Sequence, residues 1–273
     1  MKIDILSDIH LDMWHDPETA LTACKKKILF SKVLPKTPGE VLVIAGDLGH
    51  YNKQNLDLLK WFQEEYGYQI LYVWGNHDYY RVNIEQEQEY INSIAKAEEL
   101  RHMINEQKGM YHLDGEIVEI DGIKFGGCNG WYDGSLYEGD DDETDAFWYV
   151  WMNDCRIKPF GNTLRYDTLH KLDLPKIEAL YQSCDVMITH TCPIASERIF
   201  EKMYGEFHPL RAFYCFDGEK YLKDGTMKYW VFGHTHVAYE EEYFGKKIIC
   251  NAMGRPTRRT PNPKISSKQI EIK

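Results

Sequence analysis

Five short apolar runs, each closed by a cluster of polar side chains, constrain this chain more than any other feature. They cover residues 3–6, 41–45, 70–74, 186–189 and 229–232. Each is rich in Val, Ile and Leu and nearly continuous, the pattern of a strand buried on both faces. The first run leads into Asp8-Ile9-His10 and the second into Gly46-Asp47. The third leads into Gly75-Asn76-His77-Asp78, the fourth into His190, and the fifth into Gly233-His234-Thr235-His236. In open α/β sheets the ligand crevice lies outside the carboxyl ends of the strands. Five such endings therefore predict one polar rim.

Helical patterns separate several of the runs. An Asp16-Pro17-Glu18 start predicts a helix continuing to Leu34. Helical periodicity also covers residues 52–66, a long polar stretch at 84–107, and a shorter one at 174–183 that begins near Pro175. Asp121-Gly122 joins two alternating segments as a hairpin, and Gly245 joins two more. Together these predict an α/β chain with a mixed, two-layered sheet core. Residues 1–254 read as one domain. Residues 131–173 break the pattern with many aromatics and six acids between Glu138 and Asp145, which suits either a solvated loop leading into a helix or a lid insertion over the site. Residues 255–273 read as a basic, proline-containing tail.

Composition narrows the functional classes. The chain has 43 Asp and Glu against 32 Lys and Arg, a formal net charge of -11. That balance argues against strong nucleic-acid binding, which needs a basic face. It does not exclude phosphate chemistry where metal ions supply the positive charge. Acids at Asp4 and Asp8 interrupt any secretory apolar segment, and no run reaches membrane-span length. The seven cysteines are scattered and form no C-x-x-C pair, which favours buried thiols in a reducing, cytoplasmic setting.

Carboxylates, imidazoles and an amide oxygen together suit borderline-to-hard divalent ions such as Mn, Fe, Zn or Mg. Asp8 and His10 stand two apart, as do His234 and His236, so each pair shares a direction along an extended segment. Two ions need a bridging carboxylate, and Asp47 is the only acid in its motif. His50, three residues after Asp47, is a candidate for a supporting contact. Arg156 is a candidate phosphate clamp. Trp131 and Tyr132 suit core packing or stacking on a base or aromatic leaving group, and Arg255, Arg258 and Arg259 suit a solvated tail or a partner contact.

The ordered series from Asp8 to His236 resembles the calcineurin-like metallophosphoesterase superfamily. The segments 152–157 and 250–254 look like its bacterial-type branch. One departure is Thr189-His190-Thr191, where many relatives show a second histidine. The resemblance implies a β-sandwich flanked by helices and a dinuclear site. It assigns Asp8, His10, Asp47 and His236 to one metal and Asp47, Asn76, His190 and His234 to the other, with manganese favoured. His77 becomes the catalytic imidazole and Asp78 its orienting carboxylate. The implied activity is hydrolysis of phosphate mono- or diesters, with in-line attack by a metal-bridging hydroxide and His77 as general acid. A non-catalytic scaffold for a protein partner and a DNA nuclease are the competing expectations.

Overall fold

The computed structural model describes residues 1–273 apart from 161–163, 205–207, 257–264 and 273. The apolar runs form strands, joined by others into two sheets. The first sheet holds β1 (Lys2–Leu6), β2 (Val41–Ala45), β3 (Gln69–Val73) and β4 (Met110–His112), with β11 (Gln269–Glu271) at its edge, in the order β11-β1-β2-β3-β4. The second holds β5 (Ile117–Ile120), β6 (Ile123–Gly127), β7 (Val186–Ile188), β8 (Tyr229–Phe232), β9 (Tyr239–Tyr243) and β10 (Lys246–Cys250), in the order β5-β6-β7-β8-β10-β9. Neighbours run parallel through both sheet centres, while β11, β5 and β9 pair antiparallel at edges. The result is a mixed, two-layered sandwich flanked by helices.

Continuous burial of the strands follows from their side-chain alternation. Ile3, Ile5, Val41, Val43, Leu71 and Val73 meet Val186, Ile188, Val231 and Ile249 between the sheets. The intervening residues face helices instead: Leu42, Ile44, Ile70 and Tyr72 on one side, Met187, Trp230 and Ile248 on the other. Both sheets send their parallel strands to the same rim. There Ser7 bridges Ala252, and Met253 N–H donates to the Ser7 carbonyl at 2.8 Å. The segment after β10 thus stitches the two layers together beside the strand ends.

The helices are α1 (Leu11–Trp14), α2 (Ala23–Phe30), α3 (Asn52–Tyr66), α4 (Asn76–Tyr79), α5 (Ile84–Glu89), α6 (Ser93–Asn105), α7 (Asp141–Trp151), α8 (Thr168–Leu180), α9 (Glu197–Tyr204) and α10 (Glu219–Asp224). Several expectations need correction. No helix starts at Asp16-Pro17: Asp16 closes a turn on Glu18 and Thr19, and α2 begins after Thr22, whose hydroxyl accepts from Lys25 N–H. The stretch 84–107 is two helices, because Asn83 and Asn92 each cap a separate start by accepting from Gln86 and Ala95 N–H. The helix around Pro175 begins at Thr168, seven residues before the proline, which stands inside it.

The acidic run is the start of α7. Asp140 accepts from Asp142 and Glu143 N–H, and Glu143 returns a bond to Asp140 N–H. Carboxylates in a first turn also face the positive end of the helix dipole. Trp131, Tyr132 and Trp148 are fully buried and belong to the core, whereas Tyr149, Trp151 and Phe160 are exposed. Residues 255–273 do not simply trail away: β11 returns to β1, with Ile270 opposite Ile3. Arg258 and Arg259 lie outside the described residues.

Candidate metal centre

Local backbone strain marks the rim. Asp8, His10, Asp47, His234 and His236 all have positive φ, between 46° and 65°, in the left-handed region that side-chain-bearing residues rarely adopt. Each sits just past a strand, where the chain must turn sharply while aiming a side chain inward. Two glycines make room for the approach. A Cβ on Gly46, itself at φ 84°, would fall 2.3 Å from His190 Nδ1, and one on Gly75 would fall 2.0 Å from Asp47 Oδ1. Cross-links then fix the loops. Asp8 N–H donates to Gly46 O and His10 N–H to Asp47 O, while His234 N–H donates to Asp8 Oδ1 at 2.9 Å.

Asp47 lies in the middle. Its Oδ2 is 3.6 Å from His10 Nε2, and its Oδ1 is 3.5 Å from His190 Nε2. His10 Nε2 stands 3.0 Å from His236 Nε2, and His236 Nε2 is 3.3 Å from Asp8 Oδ1. Ligand atoms of Asp8, His10, Asp47 and His236 all lie within 4.8 Å of one another. On the other side of Asp47, His190 Nε2 faces Asn76 Oδ1 at 3.1 Å, and the His190 and His234 rings are 4.9 Å apart. All seven residues expected as ligands therefore gather around one carboxylate.

Hydrogen bonds outside the cluster set which atoms face in. His190 Nδ1 donates to the Ala45 carbonyl at 2.8 Å, leaving Nε2 bare. His234 Nε2 donates to the Phe213 carbonyl at 3.0 Å, leaving Nδ1 bare. Asn76 Nδ2 donates to Asp154 Oδ1 at 2.8 Å, which turns its oxygen toward His190. Asp154 is held in turn by the Tyr80 and Tyr132 hydroxyls. Bare nitrogens aimed at carboxylate and amide oxygens repel unless a cation lies between them. Asp47 Oδ2 is buried with no hydrogen-bond partner, as a ligand atom would be before its ion arrives.

The electrostatics agree. Burial pulls His10, His190 and His234 down, His234 to about 3, so all three are neutral and hold ligand-ready lone pairs. Burial and the nearby Asp8 and Asp78 carboxylates push Asp47 well up. Burial also pushes Asp8 up, but the neighbouring His236 outweighs it and brings Asp8 to about 2. A bound dication would lower the cost of the central charge. The residues present thus fit a divalent metal.

A profile of the calcineurin-like phosphoesterases matches residues 1–238. The chain belongs to that family. Among curated proteins, this phosphoesterase-family chain is 26% identical over 239 residues to "Uncharacterized protein L509" of Acanthamoeba polyphaga mimivirus, with 80% of each chain covered. Among solved structures it resembles phosphopantetheinyl hydrolase (PptH) from Mycobacterium tuberculosis, with a TM-score of 0.71 and 16% identity over 98% of this chain and 95% of that one. It also resembles TT1561 of Thermus thermophilus, with a TM-score of 0.50 and 12% identity over 100% and 99%. At such identities the likeness is one of fold.

The remaining candidates fall differently from expectation. Asp78 does not orient His77. Its Oδ2 accepts from Gly75 N–H at 2.6 Å, from Asp47 N–H at 3.3 Å and from the Tyr72 hydroxyl, because α4 turns the two side chains apart. The His77 ring instead donates from Nδ1 to His50 Nε2 at 2.7 Å, and His50 Nδ1 donates to Asp12 Oδ2 at 2.7 Å. Arg156 is exposed and does not line the cavity over the site. Arg255 does, with Nη2 2.5 Å from His77 Nε2. Sequence reading missed Asp12, Asp154 and Arg255. Asp12 had a signal, two residues past His10. Arg255 had none, because a basic segment after the last motif looks like tail.

Proposed function

We propose that the chain is a dinuclear-metal phosphoesterase. The observation that carries this reading is the arrangement around Asp47. One oxygen of that carboxylate approaches His10 and the other approaches His190, with His236 Nε2 beside the first imidazole and Asn76 Oδ1 facing the second. Asp8, His10, Asp47 and His236 would hold one ion, and Asp47, Asn76, His190 and His234 the other. Bound there, two divalent ions supply neutralisation of the phosphoryl oxygens and acidification of a water. The mixed oxygen and nitrogen donor set suits manganese, iron, zinc or magnesium, and manganese is the ion we would try first.

The chain's own contribution to bond breaking centres on His77. Its Nε2 borders the cavity, 4.0 Å from Asp47 Oδ2, so it stands where a leaving oxygen would need a proton. His50 and Asp12 accept in series behind Nδ1, which fixes the tautomer and leaves Nε2 facing the cavity. Burial, with His50 and Arg255 next, holds His77 well down while the cavity is empty of phosphate. A phosphate dianion reverses that balance, so His77 gains its proton as substrate enters. Asp78 ties the Gly75 and Asp47 backbones together and so keeps the bridging carboxylate in place.

We further place the protein in the cytoplasm. Its seven cysteines are free, five of them buried, as a reducing compartment allows. No helix among the described residues is long and apolar enough to cross a membrane. The direct test is hydrolysis of p-nitrophenyl phosphate and bis-p-nitrophenyl phosphate with Mn²⁺. Turnover should disappear with chelator and with Asp47→Asn, and metal analysis should return two ions per chain. A protein that binds two ions and hydrolyses neither ester, nor any other phosphoester offered, is the scaffold instead.

A further inference from the structure

The cavity over the site has a half that phosphate chemistry leaves unused. It holds about 450 Å³, the size of a small-molecule pocket and more than a phosphoryl group fills. Its lining includes apolar side chains: Trp151 and Met152 at the end of α7, with Leu210, Tyr214 and Val237. Trp151 is 62% exposed, although tryptophan is among the residues most buried on average. The ring is braced, not loose. It lies 6.0 Å from Phe147 at 33°, and Phe147 lies 4.9 Å from Tyr137 and 6.2 Å from Phe213. A braced, open indole at a cavity wall is a stacking platform for a flat ring.

Arg255 supplies the other half of the recognition. It is the one Lys or Arg among the described residues lining the cavity. Its Nη2 bonds to His77 Nε2, a neutral acceptor and a weaker partner for a guanidinium than a phosphate oxygen. A guanidinium beside the site suits a compact anion such as a phosphoryl group. Resting on the phosphoesterase reading above, we propose that the substrate is a small phosphoester whose organic part carries a flat aromatic ring of nucleobase size. The ring stacks on Trp151. The phosphate takes Arg255 away from His77 Nε2 and so frees that nitrogen.

Adenosine 5′-monophosphate and ribose 5-phosphate share a primary-alkyl leaving oxygen and differ in the ring, so their comparison isolates stacking. Their methyl diesters extend the pair to diester chemistry. With Mn²⁺, kcat/KM should favour the ring-bearing member by about tenfold, the size of one base stack. Trp151→Ala should bring the ratio near one, Trp151→Phe should keep most of it, and Tyr149→Ala, an exposed neighbour outside the cavity, should leave it intact. Arg255→Met should raise KM for both members. Equal kcat/KM for the pair in the unaltered protein overturns the ring preference while the phosphoesterase reading stands. If neither is hydrolysed, calorimetry decides: Trp151-dependent binding of the nucleotide over the sugar phosphate upholds the preference while the catalytic reading fails. Equal binding, or none, sinks the preference as well.

Discussion

His77 is held on both sides by other residues of the site, and the two contacts do opposite things. His50, backed by Asp12, accepts the proton on Nδ1, whereas Arg255 donates to Nε2. His77→Gln should therefore lower turnover of a primary-alkyl phosphate about 10²- to 10³-fold, with a smaller loss for p-nitrophenyl phosphate, whose leaving group needs little protonation. Metal content by mass spectrometry should not change. Equal losses on the two esters would remove His77 from the proton-donor role. The residues proposed as ligands were legible in sequence because each follows an apolar run at short spacing. The supporting residues were not. Asp154 reaches Asn76 across 78 positions and Arg255 reaches His77 across 178, and no local pattern encodes such pairings.

Among the elements, α7 shows how a run of like charge becomes structure. Six acids in a loop would repel one another, but several of these cap or begin a helix whose last residue borders the cavity. Removing the cap by Asp140→Ala should cost about 1 kcal/mol of unfolding free energy, measured by urea titration. A change within about 0.2 kcal/mol would show that packing of Trp148 alone holds the helix. Strands were easier to read than helices. Burial on both faces leaves an apolar run that few other elements imitate, and the five runs became β1, β2, β3, β7 and β8. Helix limits depended on which asparagine capped and on whether a proline could be tolerated, both of which are settled by tertiary contacts. β11 is the extreme case: three residues find an edge strand from the far end of the chain, and only the assembled sheet makes that edge available.

For the molecule as a whole, one buried cation ties stability to pH. Lys96 on α6 is fully buried and donates to the Asp78 carbonyl at 2.7 Å, linking the helical layer to the rim. Burial brings its ammonium down to about 8, against the pull of Asp78, Asp12 and Glu99. A folded-state value below the unfolded one means that the stabilising contribution is present above pH 10.5 and lost as pH falls through 8. The unaltered protein should gain up to about 3 kcal/mol relative to Lys96→Met between about pH 7 and pH 10.5. A pH-independent difference between the two unfolding curves would refute this. The left-handed rim has a wider consequence. Five residues there carry conformations that glycine adopts at no cost, about 1 kcal/mol or more apiece. Selection for thermal stability in chelator should enrich glycine at positions 8, 10, 47, 234 and 236, and selection for turnover should hold all five. A lineage with no use for the proposed metal site therefore has a downhill path: it can grow sturdier by giving up those five side chains.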